Sequence, residues 1–179
     1  MNQPDYSTFP TLTTQRLLLR RLSLADTPVI YELRSDPEVA VLTGKKPFTS
    51  LDEATAYINK IDNLINNNES IFWAIAYKDS PTMLGGICLW NFDISNETVE
   101  IGYELLPQFQ SKGIMAEAIA CILQYGFDTM GAKTIVAFPS ADNPASVKLL
   151  EKTGFTLMPR DFKHTHADVP GMLTYTYQQ

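Results

Sequence analysis

Gln110-Ser111-Lys112-Gly113-Ile114-Met115 and Asn143-Pro144-Ala145-Ser146, the latter running on to Gly154-Phe155, are the two stretches on which the reading of this chain turns. The first lies between a strand-like segment, Val99 to Leu105, and the start of the clearest helix, about Gly113 to Met130. Amides at a helix start have no intrahelical acceptor and sit at the positive end of the macrodipole. A glycine there lets a bulky anion come close to the backbone. With the charge of Lys112, the stretch points to a phosphate-bearing ligand; the plainer reading is that Gly113 only relaxes a tight turn. It is neither a Walker loop nor a dinucleotide Gly-x-Gly-x-x-Gly. In the second stretch Asn143 at the N-cap, Pro144 inside it and Gly154 past the end describe a short helix from Asn143 to Thr153 by themselves.

Working outward, Thr134 to Phe138 is an apolar, β-branched strand. Strand, helix, strand in this order predicts a crossover joining two neighbouring parallel strands. Upstream, Ile71 to Tyr77, Met83 to Phe92 and Val99 to Leu105 read as strands with short linkers, so antiparallel pairing is expected. Ser50 to Asn66 is a helix whose Leu51, Ala54, Ile58, Ile61 and Ile65 share a face, with Ser50 and Glu53 as a capping box. Leu24 to Ser35 predicts a first helix that stops at Asp36-Pro37, and Arg16 to Leu22 a strand. A terminal hairpin closes the chain. Residues 1–11 read as a polar tail and 12–179 as one domain. The fold class is α+β: a mixed, mostly antiparallel sheet with helices on both faces.

The 179 residues are enough for one sizeable core. Charged residues make up 19%, and Lys+Arg total 14 against 20 Asp+Glu, for a net charge of −6. That balance argues against holding nucleic acid by phosphate neutralisation. Cys88 and Cys121 lie in apolar runs and suit buried, reduced thiols. No stretch approaches the roughly 18 apolar residues of a spanning helix, and Met1 to Thr11 lacks a signal-peptide pattern, so a cytoplasmic protein without membrane partner is expected. No His/Cys/Asp/Glu cluster suggests a metal; His164 and His166 read as surface residues.

The order and spacing of these pieces resemble the GNAT superfamily of acetyl-CoA-dependent N-acetyltransferases over nearly the whole chain. Gln110 to Met115 is similar to its Gln/Arg-x-x-Gly-x-Gly/Ala loop, and Asn143 to Phe155 to its Asn-x-x-Ser…Gly-Phe segment. Thr14 to Arg20, Asp36-Pro37, and Glu100-Ile101-Gly102-Tyr103 before Leu106-Pro107 resemble the Rim-type branch, whose best-known members acetylate ribosomal-protein N-termini. Two positions depart from the pattern. Met115 replaces the loop's last small residue, and Leu150 stands where many members carry a tyrosine that protonates the departing thiolate.

The resemblance implies a splayed strand pair that holds acetyl-CoA, with no metal. Backbone groups of Tyr103 and Leu105 would bind pantetheine, and the stretch Gln110, Ser111, Lys112, Gly113, Ile114 and Met115 the pyrophosphate. Asn143 would touch pantetheine, and Ser146 would lie near the sulfur; the acid role that Leu150 cannot fill would pass to Ser146, to water or to another hydroxyl. Aminolysis of a thioester also needs a base, because a free α-amino group titrates near ~8 and lysine near ~10.4. Strand alternation puts Glu100, Gly102 and Glu104 on one face and Ile101, Tyr103 and Leu105 on the other. Glu100 is the candidate base and Glu104 its competitor; Glu100 also reads as a salt-bridged strand residue. Tyr31, Trp73, Trp90, Phe92 and Tyr103 are candidate walls of an amine pocket, since aromatic faces attract cations. The expected acceptor is a protein N-terminus or a small amine, the expected assembly a monomer or homodimer. The rival reading is a CoA-binding sensor without catalysis, which only Leu150 favours.

Overall fold

Phe72 and Trp73 are neighbours on one strand, and their side chains mark the two faces of the sheet. The computed structural model describes residues 1–37, 39, 46–159, 162 and 171–179. The strands are β1 (Leu12–Thr13), β2 (Leu17–Arg21), β3 (Ser70–Tyr77), β4 (Ser80–Asp93), β5 (Thr98–Leu105), β6 (Thr134–Ala137), β7 (Thr156–Leu157) and β8 (Tyr175–Gln178). They pair in the order β1-β2-β3-β4-β5-β6-β8-β7. Every pairing is antiparallel except β5 with β6, the crossover expected from the sequence.

On the Phe72 face lie α1 (Thr27–Ser35) and α2 (Leu51–Asn66), with Tyr57 of α2 edge-on to Phe72 at 6.5 Å. The Ser50 hydroxyl accepts from the Glu53 amide as expected, but the Glu53 carboxylate reaches one residue further back, accepting from the Thr49 amide at 2.6 Å, so the predicted box does not close on Ser50. The first helix is shorter than its sequence reading, because Leu24–Asp26 is a 3-10 turn; it stops at Asp36, extended before Pro37.

On the Trp73 face lies α3 (Ile114–Gln124), continued by a π turn at Tyr125–Thr129 rather than by regular helix to Met130. Tyr125 meets Trp73 edge-on at 5.3 Å. Gly126 seats this turn on the sheet, since a Cβ there would lie 2.7 Å from Ile135 Cδ1. The short α4 (Pro144–Lys152) packs on the same side, where the Tyr175 hydroxyl donates to Glu151 at 3.0 Å. Residues 1–11 are no loose tail. Tyr6 is buried, Phe9 packs on Trp73, and the Trp73 indole donates to the Pro10 carbonyl at 2.7 Å. These two aromatics act with polar anchors to dock it: the Asn2 amide donates to the Met130 carbonyl at 2.7 Å and the Tyr6 amide to Asn68 Oδ1 at 2.7 Å.

Candidate active site

β5 and β6 share only three register pairs, the last of them Glu100 with Val136, yet β5 runs on to Leu105. A gap therefore opens beyond Glu100, the splay that the family resemblance implied. The Leu106 amide donates to the Leu84 carbonyl on the β4 side at 3.0 Å. Strand alternation then turns the backbone groups of Tyr103 and Leu105 into the gap. The Gln110 side-chain amide donates to the Leu105 carbonyl at 3.0 Å and tethers the following loop to that edge.

The loop reaches α3 through two left-handed residues, Ser111 at φ 60° and Gly113 at φ 75°. No side chain caps α3, whereas α4 is capped by Asn143, whose side-chain oxygen accepts from the Ser146 amide at 3.0 Å. An uncapped start leaves its first amides available to an anion. Ile114 and Met115 turn their side chains into the core, at 1% and 6% exposure, so Met115 does not crowd the amides. Gly113 is open: a Cβ there would meet only Arg16 Nη2, at 3.5 Å. Arg16 braces the loop, donating to the Lys112 carbonyl at 3.2 Å and to the Glu117 carboxylate at 2.7 Å. Burial would raise the Glu117 carboxyl, but hydrogen bonds from Thr14 and Arg16 hold it below the usual carboxylate range.

On the Phe72 face β5 presents Glu100, Gly102 and Glu104. Glu104 is ion-paired: Arg34 Nη2 lies 3.1 Å from each of its oxygens and 2.8 Å from the Tyr57 hydroxyl, and the guanidinium sits 3.9 Å from the Tyr57 ring centre. Glu100 is 6% exposed, and burial pushes its carboxyl up to about 7; a hydrogen bond from the Asn91 amide at 3.4 Å offsets part of the rise. Trp90 is the register partner of Glu100, and its indole lies over Gly102, 3.8 Å from where a Cβ would stand. Tyr31 sits one turn before Arg34 on α1, on the same side of that helix. Burial pushes the Cys88 thiol up to about 12, so it stays protonated between these carboxylates.

Across the sheet, the Tyr103 and Ser146 hydroxyls share a hydrogen bond of 2.8 Å. The sequence reading used the backbone of Tyr103 and its ring; its hydroxyl contact was not legible, because it links β5 to the start of α4. Arg16, Arg34 and Asn91 were missed for the same reason, each acting on a residue distant in sequence or around a bulge. Leu150 is fully buried. Two of the candidate pocket aromatics stand elsewhere. Trp73 has no exposed surface and faces α3, and Phe92 packs on Tyr6 at 6.4 Å. Both belong to the packing under the N-terminal segment, so neither walls a pocket beside Glu100; Tyr103, too, points to the face opposite Glu100. His164 and His166 lie outside the described residues. Among the described residues no group of three or more His, Cys, Asp or Glu could hold a metal, and no helix is long and apolar enough to cross a membrane.

Comparison with known proteins gives this geometry a family. The family model described as an acetyltransferase (GNAT) domain matches residues 16–156. An uncharacterized N-acetyltransferase of Bacillus subtilis, YoaA, is 33% identical over 147 residues, covering 82% of this chain and 83% of its own. The crystal structure of an acetyltransferase from Agrobacterium tumefaciens superposes with a TM-score of 0.80 at 24% identity, over the full length of both chains. A spermidine N-acetyltransferase from Vibrio cholerae, solved with CoA and spermine, superposes with a TM-score of 0.75 at 21% identity, over 93% of this chain and 97% of its own. The family match spans both the gap between β5 and β6 and the uncapped start of α3, and the chain belongs to the GNAT family of acetyltransferases.

Proposed function

We propose that this enzyme moves an acetyl group from acetyl-CoA to a primary amine, with Glu100 as base and Ser146 as the group that protonates the leaving sulfur. The donor is a substrate, and the residues present suit it. The uncapped start of α3 with the left-handed Gly113 offers amides from Ser111 to Met115 to a pyrophosphate. The free edge of β5 offers the backbone of Tyr103 and Leu105 to an extended amide-bearing arm, as an added strand would. Gln110, Lys112 and Ile114 complete this loop. The side-chain nitrogen of Asn143 remains for the arm, since its oxygen serves as the α4 cap.

The acceptor enters from the Phe72 face, between Tyr31 and Trp90. The observation that carries the reading is the placement of Glu100, a buried carboxylate at the last pair before the strands part. A base near 7 is matched to an ammonium near ~8 at neutral pH, so the proton can leave before attack and return to solvent afterwards. Glu104 serves less well, because Arg34 already holds both of its oxygens. The carbonyl under attack would be polarised by a β5 amide in the gap.

The acceptor is a protein N-terminus or a small amine. A panel of N-terminal peptides, polyamines and amino acids incubated with acetyl-CoA, with release of free CoA measured, tests the assignment. CoA release that depends on one class of amine supports it and names the class; no release with any amine refutes it.

A further inference from the structure

Expulsion of a thiolate needs a proton, and the hydroxyls on and beside α4 are candidates to give one. Leu150 is buried and has none. The Thr153 hydroxyl is engaged with the carbonyls of Leu149 and Leu150 at 2.9 and 3.0 Å. Of these hydroxyls Ser146, in the first turn of α4, remains, and its partner is a phenol from the neighbouring strand, 2.8 Å away. Tyr103 is placed for this by its position on β5. Its backbone faces the gap between β5 and β6, and its side chain rises on the α4 side, so the bond closes one wall of that gap.

We propose that Tyr103 is a positioning residue and proton reservoir for Ser146, so that the two hydroxyls act as one relay to the departing sulfur. The inference rests on the acetyl-transfer reading above. As the amine nitrogen bonds to the acetyl carbon, the carbon–sulfur bond breaks and its electron pair goes to sulfur. The Ser146 hydroxyl proton moves to sulfur, and the Tyr103 proton moves to Ser146. Tyr103 then recovers a proton from solvent, while Glu100 passes to solvent, in turn, the two protons that leave nitrogen, the first from the ammonium before attack and the second from the tetrahedral adduct as it collapses. The sum is an amide, CoA thiol and one proton. Burial holds the Tyr103 phenol up to about 12, with the Ser146 bond pulling the other way. The phenol therefore enters each turnover protonated. The hydrogen bond also fixes the rotamer of Ser146, which a serine at the first turn of a helix would otherwise sample freely.

The test is a double-mutant cycle on the intact chain, read as kcat, as KM for acetyl-CoA, and as thermal stabilisation by CoA. Tyr103→Phe should lower kcat by about 10-fold or more, leave KM and the CoA stabilisation within about twofold of the parent, and cost nothing further when added to Ser146→Ala. A Tyr103→Phe enzyme with parental kcat, or losses that multiply in the double variant, would overturn the relay. Because removing the hydroxyl could also disturb packing, a second substitution keeps the shape. With 3,5-difluorotyrosine in place of Tyr103, the more acidic phenol should move the basic limb of the kcat–pH profile to lower pH. An unmoved limb overturns the proposal even if Tyr103→Phe fails to fold. A parent enzyme that releases no CoA with any amine would instead refute the acetyl-transfer reading itself.

Discussion

Arg34 places one guanidinium nitrogen 3.1 Å from each carboxylate oxygen of Glu104, and this pairing separates two carboxylates that the sequence presents as equals. Both lie on one face of β5. The side chains of Arg34 and Glu104 are 14% and 16% exposed, so the pair is largely withdrawn from water. Glu100, at the other end of the same face, receives the Asn91 amide and lies where the sheet splits.

Glu100→Gln should lower kcat/KM by about 10²–10⁴, the usual range for loss of a general base. The acidic limb of the parent profile should fall near pH 7, where burial has moved this carboxyl, and should flatten in the variant. Retention of that limb would assign it to another group.

The same substitution should raise thermal stability above neutral pH. A carboxyl whose folded pKa is about 7, against roughly 4.3 unfolded, binds its proton more tightly in the folded state. Its ionisation therefore costs stability as pH rises between those values, and the cost is complete above the folded pKa. Glu100→Gln removes it, so Tm should exceed the parent's at about pH 8 and match it at about pH 4. Equal Tm differences at both pH values would show that Glu100 ionises without penalty.

Glu104→Gln should behave in the opposite way. It leaves Arg34 charged and mostly buried without its carboxylate, which costs about 3 kcal/mol by the usual behaviour of broken buried pairs. Urea unfolding measures this, while the acidic limb of the activity profile should persist. A larger rate loss than in Glu100→Gln would move the role of base to Glu104.

Gly113→Asp should abolish most of the thermal stabilisation by CoA, since it sets a carboxylate against the pyrophosphate position. Gly113→Asn is the control, because asparagine also tolerates a left-handed φ and adds no charge. Equal CoA stabilisation in parent and Asp variant would remove the loop from the donor site.

Arg16→Ala should raise KM for acetyl-CoA several-fold with little change in kcat. The arginine links the Lys112 carbonyl to Glu117 and holds the loop from behind. Unchanged KM would mean that Gln110 and the left-handed turn shape the loop unaided.

Local sequence determined the elements. Ser50 and Glu53 start one helix, Asn143, Pro144 and Gly154 bound another, and apolar alternation sets the sheet, because caps and periodicity act within a few residues. The order of strand, glycine loop, helix and strand likewise made the β5–β6 crossover and the family resemblance legible. Only the tertiary structure decided the roles of individual side chains. It gave Glu104 to Arg34, Trp73 to the packing under Tyr125 and Pro10, and the Tyr103 hydroxyl to Ser146. Charge pairing, burial and hydrogen bonding depend on neighbours that are close in space but tens of residues apart in the chain, and no local pattern encodes which neighbour arrives.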